Sequence, residues 1–342
     1  MRKERLYYLD MIKLIAVISV FTIHFTKTLE GAGINFSYKV LPDTAFSLYL
    51  GAYGVSLFFI VSGAVLMYMY GDKEIELGTY FKKRFLGIYP MFWLAFALFF
   101  VIKWFRYPHF QQGIRRGTIL FTLLGIDGQV GIYTPTFYML GEWFLTVIIV
   151  LYVLFPFLKK MVLRQPALTF LVFLALTLWS AYHWNDDVLA MDAFFFHRIP
   201  EFLLGMIFVR YIKKVRWYLL IPSIGVLAWL GIEQCPEMNY MLRILLVGTS
   251  SFLVWTFLFS FPKGKVIEKI SKFIDKYCYP IFLTHHIIML LLIPFWSGQT
   301  FGTGQVWAMY LTCIALTLVM SALLIFLTPR VISTCKNIYQ KI

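Results

Sequence analysis

The chain has 342 residues, of which 60% are hydrophobic and 14% are charged, and its mean hydropathy is +0.76. This balance excludes a soluble globular domain and predicts an all-α, polytopic membrane protein. The net charge of +14 points to membrane topology and not to a nucleic-acid partner, because most of the cations fall in alternate loops.

Apolar stretches of about 20 residues predict ten transmembrane helices in one integral-membrane domain over residues 1–342. They cover residues 11–29, 45–70, 85–104, 139–158, 167–183, 193–212, 217–232, 240–261, 278–296 and 306–328. The first stretch is too long for a signal-peptide core and is expected to be retained. The apolar segment 118–125 is too short to span, so we expect a re-entrant or interfacial piece there.

The first predicted helix carries three ionisable residues on one face. Lys13 and His24 are eleven residues apart, which is about three turns plus 20°, and Asp10 lies on the same face. An ionisable residue inside a membrane helix costs at least about 2.5 kcal/mol, so the stripe predicts a functional site. The alternative is that Asp10 and Lys13 are headgroup anchors and that His24 only bonds a neighbouring helix.

The basic residues predict the orientation, because Lys and Arg accumulate in cytoplasmic loops. With the N-terminus inside, 22 of the 31 fall in cytoplasmic segments, 4 in outer loops and 5 within or beside spans. Both termini are therefore expected in the cytoplasm.

The four cysteines predict no special chemistry. Cys235, Cys278, Cys313 and Cys335 lack CxxC spacing. Neither a disulfide framework nor a metal site is expected.

Six short motifs follow one another along the predicted helices. They are LDMIKLIAVISVFTIH in the first, FFIVSGAVL in the second, YFKKRFLGIYPMFW in the third, EWFLTVIIVLYVLFP in the fourth, HRIPEFLLGM in the sixth and YPIFLTHH in the ninth. Together they resemble membrane acyltransferase family 3, which modifies bacterial polysaccharides and other cell-surface acceptors. The main matching positions are Asp10, Lys13, Ala16, His24, Phe59, Ser62, Gly63, Arg84, Ile88, Pro90, Trp93, Trp143, Leu145, Tyr152, Pro156 and His285, which the motif selects over His286.

Two positions depart from the family pattern. Gly87 stands where the family has the second Arg of a pair, and Ile148 stands where many members have Glu. Whether Glu142, just before Trp143, substitutes for that Glu is left open by the sequence.

The resemblance implies an acetyl-CoA-dependent O-acetyltransferase of the bacterial cytoplasmic membrane, with no permanently bound cofactor. An acyl group, usually acetyl, would pass from cytoplasmic acyl-CoA to a hydroxyl of a polysaccharide or glycolipid. The resemblance assigns acyl-CoA binding to Lys13, Arg84 and Ser62, and cations suit the phosphates of CoA. His24 would be either the base or a transient acyl carrier, and both roles stay open.

Five further residues are expected to support the site or to contact the acceptor. They are Asp10, Glu142, Arg198, Glu201 and His285. Arg198 and Glu201 are three residues apart on one helix face, so the alternative is that they only pair with each other. His285 has the alternative of bonding between helices.

Two other functions compete with acyl transfer. One is a transporter or flippase for a lipid-linked sugar, although the internal repeat that many transporters show is not evident in the sequence. The other is a sensor or scaffold for surface-polymer synthesis. Neither requires a binding site for acetyl-CoA.

Overall fold

The computed structural model describes residues 4–106, 113–131, 133–137, 139–184, 190–233, 237–261 and 264–339. In these ranges the chain forms twelve α-helices and four two-residue strands. The helices are α1 (Tyr7–Gly31), α2 (Leu50–Tyr70), α3 (Leu77–Arg106), α4 (Ile119–Leu124), α5 (Asp127–Val130), α6 (Glu142–Arg164), α7 (Pro166–Tyr182), α8 (Ile199–Ile207), α9 (Trp217–Glu233), α10 (Tyr240–Ser260), α11 (Lys265–Leu292) and α12 (Thr303–Tyr339). The strands are β1 (Asn35–Phe36), β2 (Thr44–Ala45), β3 (Leu48–Tyr49) and β4 (Thr300–Phe301).

The helices have the lengths and composition of a multi-pass membrane protein. Among the described residues, seven are long and apolar enough to cross a membrane, namely α1, α2, α3, α6, α10, α11 and α12. The apolar helices α7 and α9 are shorter, with 17 residues each. The all-α membrane class is confirmed, whereas the count of ten spans and the cytoplasmic termini stay predictions.

Several predicted spans differ from the observed helices. The spans 85–104 and 278–296 start too late, because α3 begins at Leu77 and α11 begins at Lys265. The span 193–212 is divided into a 3-10 turn (Phe195–Arg198), α8 and a π-helical turn (Phe208–Ile212). The span predicted from residue 45 begins at Leu50, because β2 and β3 pair as a hairpin just before it. Phe46 and Ser47 at the tip of this hairpin have φ angles of 52° and 59°. Positive φ at both central residues is typical of a two-residue type I′ turn.

The chain divides into two compact units by its internal contacts. The first unit comprises Met1–Ile23, Pro42–Ile75 and Trp143–Asp275, and the second comprises His24–Leu41, Glu76–Glu142 and Lys276–Ile342. The continuous helix α1 contributes residues to both. The prediction of one membrane domain over residues 1–342 stays a prediction.

In the first unit, α2 and α8 approach each other closely at two glycines. A Cβ atom at Gly205 would lie 1.8 Å from the backbone oxygen of Ile60, and one at Gly63 would lie 2.0 Å from that of Phe202. Small residues let membrane helices pack backbone against backbone. The glycines of the two motifs FFIVSGAVL and HRIPEFLLGM therefore set how close α2 and α8 can come.

In the second unit, a short parallel pairing joins two distant segments. Asn35 pairs with Thr300 and Phe36 with Phe301, so β1, which follows α1, lies beside β4, which precedes α12. The backbone N–H of Asn35 also donates to the oxygen of Gln299 at 2.9 Å. The end of the segment that follows α1 is thus fastened to the segment between α11 and α12.

The segment 118–125 forms one short helix, α4, held against α3. Trp93 donates through its indole N–H to the Leu123 oxygen at 2.8 Å, and Tyr89 donates through its hydroxyl to the Leu124 oxygen at 2.8 Å. Gly125 ends the helix with a φ of 69°, in the left-handed region that favours glycine. Its length agrees with a non-spanning piece, and its re-entrant or interfacial position stays a prediction.

Beyond α4, the same loop contains a buried carboxylate. Asp127 is 1% exposed and accepts a hydrogen bond from the Thr122 hydroxyl at 3.0 Å. Burial raises the pKa of the Asp127 carboxyl above its ordinary value, because removal from water disfavours the charged form.

Candidate active site

The helix α1 carries Asp10, Lys13 and His24, as the sequence predicts. The stretch is rich in Leu and Ile and has no internal proline or central glycine, so a single helix of 25 residues forms. His24 belongs to the second unit, whereas Asp10 and Lys13 belong to the first. Two separate groups of polar side chains are built on this one helix.

In the second unit, His24 pairs with His285 of helix α11. The Nδ1 atom of His24 is 3.0 Å from the Nε2 atom of His285, and the rings stack with an interplanar angle of 15°. His285 is buried, with 3% of its surface exposed, whereas His24 is partly exposed. One hydrogen bond therefore joins the two imidazoles, and His24 is the more exposed of the two rings.

The hydrogen bonds of His285 determine which nitrogen of each neutral ring carries the proton. The Nδ1 atom of His285 lies 3.0 Å from the Ile281 oxygen and 2.9 Å from the Phe282 oxygen. Carbonyl oxygens only accept, so this Nδ1 carries the hydrogen and the Nε2 of His285 is the acceptor. His24 must then donate through Nδ1, which leaves its Nε2 with a free lone pair.

A third imidazole, His286, lies beside His24. Their ring centroids are 4.8 Å apart and the rings are tilted by 49°. The motif match selects His285 and not His286, and the geometry agrees that His285 makes the hydrogen bond. Only the adjacency of the two histidines in the sequence could have indicated that both reach His24.

In the first unit, Asp10 binds two cations. Its Oδ1 atom is 3.1 Å from Lys13 Nζ and its Oδ2 atom is 2.8 Å from Arg5 Nε, while the Ser271 hydroxyl also donates to Oδ2. Arg5 donates in addition to the Ser271 backbone oxygen at 2.9 Å. In the orientation prediction Arg5 is one of the 22 cytoplasmic basic residues, and neither Arg5 nor Ser271 is among the predicted site residues. Asp10 therefore positions Lys13, and Arg5 shares the same carboxylate.

The first unit also contains a buried ion pair between Arg198 and Glu201. Arg198 Nη1 is 3.0 Å from Glu201 Oε2, and the two side chains are 0% and 1% exposed. The guanidinium of Arg198 also lies over the Phe59 ring, 5.3 Å from its centroid. Glu201 occupies the first turn of α8, where the helix dipole favours a negative charge. The predicted pairing is present, and contact with an acceptor stays a prediction.

Three other predicted residues lie apart from these groups. Arg84 is on α3, with its guanidinium 5.9 Å from the centroid of the Tyr80 ring in the second unit. Ser62 is a partly exposed residue of α2 in the first unit. Glu142 begins α6, and its side chain lies outside the described part of the structure. Whether Glu142 substitutes for the family Glu therefore stays open.

No metal-binding cluster of three or more His, Cys, Asp or Glu side chains is present in the described ranges. Cys278 is partly exposed and Cys313 is buried. Cys235 and the side chain of Cys335 lie outside the described residues.

Comparison with known proteins supports the motif resemblance. A family model described as an acyltransferase domain, Acyl_transf_3, matches residues 6–326, which include every predicted site residue. Neither the curated proteins nor the solved structures yield a match.

Proposed function

Because the chain belongs to acyltransferase family 3, and is thus a membrane acyltransferase, we propose that it is an acetyl-CoA-dependent O-acetyltransferase. Its acceptor in this proposal is a sugar hydroxyl of a cell-surface or lipid-linked polysaccharide, and its location is the bacterial cytoplasmic membrane. The observation that carries the proposal is the hydrogen bond between His24 and His285, because it leaves the Nε2 atom of His24 without a proton.

In the first route, His24 is a general base. Its Nε2 takes the proton of the acceptor hydroxyl while the oxygen attacks the thioester carbonyl carbon. The tetrahedral intermediate then expels the thiolate of CoA, which receives the proton from His24 Nε2. The products are the acetyl ester and CoA with a free thiol, and His24 returns to its starting state.

In the second route, His24 Nε2 attacks the thioester itself and carries the acetyl group. CoA leaves as the thiolate, and the acceptor hydroxyl then attacks the carbonyl carbon of the acetyl-imidazole, which breaks the bond to Nε2. The proton that the hydroxyl gives to water balances the one that the thiolate takes from water, so His24 returns to its starting state. Both routes need Nε2 to carry a lone pair. Both also place positive charge on His24, which its Nδ1–H passes in part to the Nε2 of His285 through their hydrogen bond.

We assign binding of a CoA phosphate to Lys13 in the first unit. A cation close to a phosphate forms a charge-assisted hydrogen bond, which is stronger than a neutral one. Asp10 restrains Lys13 at 3.1 Å, so the phosphate would share this ammonium with the carboxylate. Asp10 is then a positioning residue.

The test measures release of free thiol from acetyl-CoA by the purified protein with a glycan acceptor. We expect His24→Ala to abolish release, because one imidazole performs the proton or acyl transfer. His183→Ala is the matched control, since His183 is an exposed histidine at the end of α7 in the other unit. Substantial activity in a well-folded His24→Ala protein would remove His24 from the mechanism.

A second test concerns the side from which the donor enters. If most basic residues face the cytoplasm, acetyl-CoA enters from inside, and the acceptor hydroxyl meets the acetyl group from outside. Sealed inside-out vesicles should consume added acetyl-CoA, whereas right-side-out vesicles should consume it only when it is loaded into the lumen. Equal consumption by both would overturn the proposed orientation.

A further inference from the structure

An apolar groove lies on the first unit, between α7, α8 and the π-helical turn that follows α8. It has a volume of about 240 Å³ and is lined by Pro166, Ala167, Phe170, Leu204, Ile207 and Tyr211. Sites that enclose a small molecule are usually larger, at about 300–1,000 Å³, and include a few polar groups. The exposed lining of this groove is apolar throughout, so it suits part of a hydrocarbon chain.

Exposed cations are concentrated on two of the segments that line the groove. Two segments, 159–167 and 208–219, enter the lining, and together they contain seven Lys or Arg residues and no Asp or Glu. Lys159 donates to the Lys73 backbone oxygen and Arg210 pairs with Asp72. The remaining five are exposed, namely Lys160, Arg164, Lys213, Lys214 and Arg216.

A hydrogen bond joins the two cationic segments. The Tyr211 hydroxyl donates to the Val162 backbone oxygen at 3.1 Å, which fastens the π-helical turn to the last turn of α6. Arg164 follows Val162 by two residues and Lys213 follows Tyr211 by two. The backbone turns sharply at Lys213, where φ is 61°. The cations of both segments thus leave their helices beside the groove.

We propose that this groove binds an anionic phospholipid, with an acyl chain in the groove and the phosphate among Arg164, Lys213, Lys214 and Arg216. Basic clusters at the membrane surface attract anionic headgroups, and each nearby cation adds to the affinity. The charge alone also follows from membrane orientation, but orientation does not require an apolar groove at the same place. The pantetheine arm of CoA fits less well, because its amides would meet an apolar lining.

The test uses native mass spectrometry of the protein released from nanodiscs that contain equal amounts of phosphatidylglycerol and phosphatidylcholine with the same chains. We expect phosphatidylglycerol to be retained at least tenfold over phosphatidylcholine. A triple variant, Lys213→Gln, Lys214→Gln and Arg216→Gln, should lose at least tenfold of this retention. Ala167→Trp, which fills the groove without changing charge, should lose at least fivefold.

The matched control removes three exposed lysines of α11 from the same unit, through Lys265→Gln, Lys269→Gln and Lys272→Gln. Its retention should stay within twofold of the unchanged protein. An equal loss in the control would mean that only overall charge attracts the lipid, and full retention by Ala167→Trp would exclude the groove. Equal retention of the two lipids, or displacement by acetyl-CoA, would also overturn the proposal.

Discussion

Replacing His285 by alanine should lower the turnover number of acetyl transfer while leaving the binding of acetyl-CoA nearly unchanged. His285 accepts the Nδ1–H of His24 at 3.0 Å, and its own Nδ1 is fixed by two backbone oxygens. Without His285, His24 loses the partner that selects its tautomer. In the proposed base mechanism it also loses the partner that would stabilise the positive charge on His24.

The magnitude follows from the kind of hydrogen bond that is lost. A hydrogen bond to a charged group contributes about 1.5 to 3 kcal/mol, and each 1.4 kcal/mol corresponds to about tenfold in rate. The turnover number of His285→Ala should therefore fall by about 10- to 150-fold. KM for acetyl-CoA should stay within about threefold, because the lost hydrogen bond acts on charge that develops during the reaction.

The assay is steady-state thiol release by purified protein, with two comparison variants. His285→Gln can offer an amide oxygen to His24 and should recover part of the rate. His286→Ala removes a ring that touches His24 at a centroid distance of 4.8 Å, and should lower the rate only slightly.

Two results would refute this reasoning. An unchanged turnover number in His285→Ala would show that the hydrogen bond does not support catalysis. A loss as complete as that of His24→Ala, with no recovery in His285→Gln, would make His285 itself the base.

Three further predictions concern other parts of the chain. Lys13→Ala should raise KM for acetyl-CoA about tenfold or more with little change in turnover number. Lys13→Arg should keep a nearly normal KM, and an unchanged KM in the alanine variant would contradict the assignment of Lys13. Gly205→Ala should destabilise the protein by about 1–3 kcal/mol or more, because its Cβ would lie 1.8 Å from the Ile60 oxygen. Gly225 lies in open space, so Gly225→Ala should be neutral or stabilising when unfolding is measured in detergent. Because the pKa of Asp127 is raised in the folded state, the wild type should lose stability as pH rises from about 4 through that pKa. Asp127→Asn should lose less stability over the same pH range, and equal pH profiles of thermal unfolding in the two proteins would exclude the effect.

Hydropathy alone predicts the long helices, because a helix that crosses a bilayer needs about 20 consecutive apolar residues. It does not report hydrogen-bond type, so the span 193–212 appears continuous although it passes from 3-10 to α to π geometry. Pro200 at the start of α8 was a local signal for the first of these changes. The hairpin before Leu50 could not be predicted, because Phe46–Ser47 lacks the Asn-Gly or Asp-Gly chemistry of such turns.

The candidate site was predictable to different degrees for local and for distant partners. The pair Arg198–Glu201 follows from a spacing of three residues on a helix, and the structure contains it. The partner of His24 cannot follow from spacing, and only the motif match indicated His285. Ser271 was not predictable, since a serine in a helix gives no sign of which distant carboxylate it will bind.

The partner of each polar group on α1 is synthesised long after α1 itself. Asp10 and Ser271 are 261 residues apart in sequence, and so are His24 and His285. At a synthesis rate of about 5 to 20 residues per second, α11 emerges from the ribosome about 13 to 52 s after α1. When α1 enters the membrane, Ser271 and His285 have therefore not yet been synthesised, so Asp10 and His24 lack these hydrogen-bond partners. A chain that stops before α11 would contain His24 without the ring that accepts its Nδ1–H.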